Sequence, residues 1–162
     1  MSRRGTGSVP GNVPDSVGLA RSLRHDARYA VSLWGLPLRV ATFLWRAHRH
    51  AVRSGDRFSR NSAIRPAEAV ELLALARGRS AVAELGTGTG WSALVLALDD
   101  GGRSVVSYDP VVRSEREDYL AMVDSSVRER IDLRDEPDVR EAVRQLELSG
   151  EERGGLFVWR AP

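Results

Sequence analysis

Apolar residues at helical spacing come first along the chain. Leu19, Leu23, Ala27, Ala30, Val31 and Trp34 predict a helix from about residue 15 to Trp34, ended by Gly35. Pro37 then stands where a helix favours its first residue. Val40, Phe43, Leu44, Ala47 and Ala51 give a second helix one apolar face as far as about Ser54, where Gly55 stops it. Residues 55–65 show no period and are expected to form a loop. Pro66 opens a helix to Ala76 with Val70, Leu72, Leu73 and Ala76 apolar, and Gly78 follows.

From Ala81 the pattern changes. The short apolar run Ala81–Leu85 predicts a strand, and Trp91–Leu98 a helix. Arg103–Asp109 predicts a second strand. Ser114 and Glu117 are spaced as a capping box, opening a helix with Tyr119, Leu120, Met122 and Val123. Arg130–Arg134 predicts a third strand, Pro137–Leu148 a helix, and Gly155–Trp159 a fourth strand. Residues 1–14, rich in Gly, Ser, Pro and Arg, are expected to be a disordered tail. Strands alternating with helices predict an α/β fold with a parallel sheet.

Between the first strand and its helix lies Glu84-Leu85-Gly86-Thr87-Gly88-Thr89-Gly90. Glycine turns with φ > 0 and lets backbone N–H groups approach a ligand closely, and the helix that follows offers unpaired N–H groups at its start. The dinucleotide fingerprint puts its third glycine one place later, where this chain has Trp91. Asp109 ends the second strand, 19 residues after Gly90, where a carboxylate can accept from both ribose hydroxyls. Other readings are a plain glycine-rich turn, and for Asp109 a turn residue before Pro110.

On Glu84-x-Gly86-x-Gly88-x-Gly90 and Asp109 the chain resembles the class I S-adenosylmethionine (SAM)-dependent methyltransferases, over about residues 66–162. The resemblance implies the first half of a Rossmann-like methyltransferase fold, about four parallel strands with flanking helices, preceded by an N-terminal helical cap over residues 15–65. It implies S-adenosyl-L-methionine as cofactor, held by Glu84, Leu85, Gly86, Thr87, Gly88, Gly90, Trp91, Ser92 and Asp109. Asp135, after the third strand, would meet the adenine or cap the next helix. Phe58, Asn61 and Ser62 would approach the pocket. It also implies methyl transfer to a small-molecule acceptor, with oxygen as the accepting atom. Where the small-molecule O-methyltransferases carry an acid after the fourth strand, this chain has Arg160, Ala161 and Pro162. The acceptor half is therefore expected to be missing, truncated or supplied by a homo-oligomer or a completing second chain. No general base and no metal ligand is assigned. A SAM-binding module without turnover and an NAD-binding oxidoreductase fragment are the alternatives.

Composition alters this little. The chain has 162 residues, no cysteine, and hence no disulfide or thiolate metal site. It carries no signal-peptide pattern or membrane-spanning run, and a cytoplasmic location is expected. Every one of its 24 basic residues is arginine. Residues 1–65 set 12 arginines against three acids, +9, and the remainder sets 12 against 19, −7. Either the basic half lies on the acidic half or it meets an anionic partner. No nucleic-acid module is visible. The second helix, with Arg39, Arg46, His48, Arg49, His50 and Arg53 off its apolar face, is either a cap or a membrane-surface helix. His48 and His50 are two apart, a poor metal pair, and His25 is alone.

Overall fold

The computed structural model describes residues 26–135 and the backbone of Leu156–Trp159. The expected tail, the helix over 137–148 and Arg160–Pro162 lie outside the described residues. The element order is α1 (helical over 26–32), α2 (Leu38–Ser54), α3 (Arg57–Ser62), α4 (Pro66–Leu75), β1 (Ala81–Leu85), α5 (Trp91–Asp99), β2 (Ser104–Tyr108), α6 (Arg116–Leu120), α7 (Ser125–Arg128), β3 (Ile131–Arg134) and β4 (Leu156–Trp159).

The four strands form one parallel sheet in the order β3-β2-β1-β4. Glu84 pairs with Ser107 and Leu85 with Tyr108 across β1 and β2. The order reverses between β1 and β4, which makes a topological switch point at the carboxyl ends of those strands. This is a mixed α/β architecture compatible with a Rossmann-like half-fold.

Helix α5 is the centre of the packing. It contacts β2 and β3 on one side and α2, α4 and α7 on the others. Every residue from Trp91 to Ala97 is buried, and all but Ser92 are apolar, so the helix is buried all round rather than along one stripe. The apolar face expected for α2 packs here: Val40, Phe43, Leu44, Ala47 and Ala51 are all buried in a core continuous with Val82, Leu94 and Val105. Burial of Phe43 or Leu44 is worth about 1.5–3 kcal/mol each.

The structure corrects several boundaries. Residues 55–65 are not simply a loop, because Asp56 accepts from the Ser59 N–H and caps the short helix α3. The capping box at Ser114 does not form: the Ser114 hydroxyl donates to Glu115, and α6 begins at Arg116 with no side-chain cap. The helix then breaks at Ala121, and α7 follows as a separate turn. Val70, expected in the apolar face of α4, is half exposed, and Ala69 takes its place in the core. Trp34, expected on the inner face of the first helix, lies beyond its end and is exposed.

Arg103 and Arg130, read as strand residues, each lie one residue before their strand and cap helices instead. Arg103, fully buried, donates to the carbonyls of Ala76, Arg79 and Leu96 and to Asp99. Arg130 donates to the carbonyls of Ala97, Asp100 and Arg103. The last carbonyls of a helix lack intrahelical partners and carry partial negative charge, so a guanidinium satisfies both needs at the end of α5.

Candidate functional site

The glycine turn lies where β1 gives way to α5, at the switch point. Gly86, Gly88 and Gly90 have φ of 96°, 54° and 82°, a region costly for L side chains. The Gly86 N–H donates to the Tyr108 carbonyl, which prolongs the ladder by one bond, and the Gly90 N–H donates back to Thr87.

Beneath the turn is a buried polar network. Glu84 has no exposed surface, and its carboxylate accepts from the hydroxyls of Ser92 and Ser107. Because the Ser107 proton goes to Glu84, Thr87 donates to Ser107, at 2.7 Å. Glu84 thus fastens the turn to α5 and to β2. Direct contact with a ligand's cation, expected from the sequence, is not available to it in this conformation. Thr87 and Ser92 are likewise buried beneath the turn rather than facing outward.

Asp109 is half buried beside Gly88. One of its oxygens accepts from the Gly88 N–H at 2.7 Å, the other from the Val111 N–H at 2.9 Å. A carboxylate has about four acceptor sites, so this one retains capacity for a ligand while it fixes the turn. Asp135 is exposed and lies 3.5 Å from the Arg116 guanidinium. Arg116, itself buried, also donates to the carbonyls of Gly88 and Val111. Leu85 closes β1 opposite Tyr108. Trp91 is buried edge-on against Phe43 and Tyr119: in place of the fingerprint's third glycine, the chain has a large ring that packs α5 on α2 and α6.

Helix α3 lies against the same turn. The Ser59 hydroxyl is 2.8 Å from that of Thr89, and the Phe58 ring would be 3.2 Å from a Cβ at Gly88. The Arg113 guanidinium stacks on Phe58, 3.4 Å from the ring centre. Of the residues expected near the pocket, Phe58 reaches the turn, whereas Asn61 and Ser62 are exposed.

Sequence reasoning missed the buried pair Asp56–Tyr119, in which the phenol donates to the carboxylate at 2.6 Å. The available signal was Asp56 three residues before Ser59, an N-cap spacing. Burial alone would raise the Asp56 pKa, but hydrogen bonds from Ser59, Tyr119 and the Phe58 backbone hold it below the usual carboxylate value. Burial, then the bond to Asp56, pushes Tyr119 well above an ordinary phenol. A carboxyl held low in the fold stabilises it above the unfolded pKa of 3.8, and that stability is lost as pH falls through the folded value. Asp56→Asn is therefore expected to cost about 1–3 kcal/mol at neutral pH, and less in acid. Urea titrations of both proteins from neutral pH to about pH 2 check this through the sign of the change; a gap that widens in acid contradicts it.

A cleft of about 510 Å³ lies at the other end of the sheet, lined by Leu36, Pro37, Leu73, Arg77, Asp99 and Arg103 among others. Helix α5 runs from the turn at Trp91 to Asp99, so the cleft is a helix length from the glycines. His48 approaches Asp26 and His50 approaches Asp118, so the two imidazoles serve different contacts. Among the described residues no three His, Asp or Glu side chains converge as a metal site. No helix among them is long and apolar enough to cross a membrane. Neither a family model nor a curated protein matches the chain.

Proposed function

We propose that this chain is a class I SAM-dependent methyltransferase domain acting on a small-molecule acceptor, with oxygen as the accepting atom. The supporting observation is the turn at the switch point: three glycines at positive φ, with the carboxylate of Asp109, just after β2, bonded to the middle one. In this reading Asp109 would accept from the ribose hydroxyls, beside glycine backbone that carries no Cβ of its own.

The residues fit the cofactor in part. Gly86–Gly90 would supply backbone contacts, Asp109 its remaining acceptor sites, and Asp135 a polar group beyond β3. Glu84 would contribute negative charge from below without contact. Phe58 rests on Gly88 and has to turn aside for a ligand to reach the backbone there. When bound, SAM supplies a methyl group already activated on a sulfonium, so the protein's share is binding and alignment. A binding module without turnover is the second reading. It is favoured by the engagement of Glu84, Asp109 and Asp135 with protein donors, which leaves no unengaged acid among the three as a base.

Calorimetry with SAM and with NAD tests the cofactor. SAM is expected to bind without competition from NAD. Asp109→Ala should weaken SAM roughly ten- to a hundredfold, since charge-assisted hydrogen bonds are worth about 1.5–3 kcal/mol each. Asp109→Asn, which keeps one acceptor, should weaken it less. NAD binding without SAM binding refutes the proposal, and unchanged affinity in both variants removes Asp109 from the site. Transfer of a radiolabelled methyl group separates an enzyme from a binding module.

A further inference from the structure

Away from the glycine turn, the connection between α1 and α2 bears an unusual surface. Val31, Trp34 and Leu38 are 74 %, 90 % and 82 % exposed. These are large apolar side chains crowded into eight residues, where isolated exposure would be ordinary. Arg28 lies one helical turn before Val31 and Arg39 directly follows Leu38, both exposed. Neither makes an ion pair among the described residues.

The charge along this segment has one sign. Residues 27–55 hold five arginines and no acid. Asp26, at the edge of that span, is turned onto His48 and Arg49. The acids that line the adjoining cleft are Asp99 and Asp100, and both lie within 4 Å of the Arg103 guanidinium. A protruding indole flanked by aliphatic side chains and guanidinium groups suits one environment, the boundary between lipid headgroups and acyl chains. There the indole sits at the interface, the aliphatic groups enter the acyl region, and arginines meet anionic headgroups. A second copy fits less well. A two-fold contact through this face would set the arginine-bearing surface of one copy against that of the other, with no acid in residues 27–55 to pair them.

We propose that the α1–α2 connection docks the protein on anionic lipid surfaces, with Trp34 and Leu38 as the inserted residues and Arg28 and Arg39 as headgroup contacts. The inference is independent of any cofactor reading. The wedge is short, so the binding is peripheral and reversible.

The experiment is flotation of the full chain with phosphatidylglycerol/phosphatidylcholine vesicles and with pure phosphatidylcholine vesicles. Binding is expected on the anionic vesicles alone and should fall with added salt. Trp34→Ala should lower the partition coefficient by about tenfold. Arg28→Gln and Arg39→Gln should each lower it by about fivefold. These positions are exposed, so the variants should melt as the parent does. The fluorescence difference between the parent and Trp34→Phe isolates this indole. In the free protein it should be readily quenched by acrylamide, and on vesicles it should shift to the blue. Absence of binding to anionic vesicles at low salt overturns the proposal, as does equal binding by Trp34→Ala. A shielded Trp34 in the vesicle-free protein, or a dimer that Trp34→Ala dissociates, assigns the face to a protein contact and overturns it as well.

Discussion

Arg103→Met is expected to lower the unfolding free energy by about 3–5 kcal/mol, a large share of the roughly 5–15 kcal/mol of a typical domain. The side chain is fully buried, and it satisfies the Ala76 carbonyl after α4 and the Leu96 carbonyl near the end of α5. Methionine fills much of the volume but donates nothing. A buried acceptor left without a partner costs about 1–3 kcal/mol, and the Ala76 and Leu96 carbonyls are both reached through buried contacts. Asp99 and Asp100 also lose their cation, although both are open enough to water for this to add less. Lysine should recover only part of the loss, because an ammonium is a compact point charge without the planar fork that reaches several acceptors. Arg130→Met is the comparison: Arg130 also caps α5 but is half buried, so water can replace it and the effect should be smaller. Urea denaturation of the three variants measures this. A loss below about 1 kcal/mol for Arg103→Met would mean that the helix ends find other donors.

Gly88→Val should remove ligand binding at the glycine turn and destabilise the fold by roughly 2–4 kcal/mol. Two costs add. Gly88 has φ of 54°, where a β-branched residue is strained. A Cβ there would also sit 3.2 Å from the Phe58 ring, which is held in turn by the Arg113 stack. The costs separate experimentally. Phe58→Ala should relieve the crowding in the double variant while leaving the backbone strain, so the two substitutions should not add. Gly88→Ala should show the strain at smaller crowding. The double variant should still fail to bind SAM, because the added methyl groups occupy the space in which a ligand would meet the backbone. Calorimetry with circular dichroism checks both outcomes. Normal binding by Gly88→Val would leave the glycine as a requirement of folding alone.

The elements were legible to different degrees, for physical reasons. Ala81–Leu85 read correctly because a short apolar run suits a strand buried on both faces, and the α2 face because period and burial coincide there. The α5 boundaries were legible because a glycine run and an aspartate pair bracket an apolar stretch. Helix α3 was not legible as a helix, since its six residues are too few to show a period. The capping box at Ser114 had the right spacing, but Arg116 is drawn to the carbonyls of Gly88 and Val111, and the helix start follows it.

The candidate site divides in the same way. The sequence alone determined that an acid, three alternate glycines and a later aspartate stand at βαβ spacing, because chain order and residue type suffice for that. It could not decide which way each carboxylate faces. Glu84 turns under the sheet because Ser107 is its cross-strand partner and Ser92 lies on the next helix, a pairing that exists only once β1, β2 and α5 are packed. Asp109 faces the turn because β2 lies beside β1 in this register. The caps on α5, the Asp56–Tyr119 bond and the Phe58 contact with Gly88 join residues 7 to 63 positions apart. Local periodicity carries no information over such separations. Only the tertiary structure supplies it, by fixing the backbone closely enough that buried groups such as Glu84, Arg103 and Asp56 meet their partners.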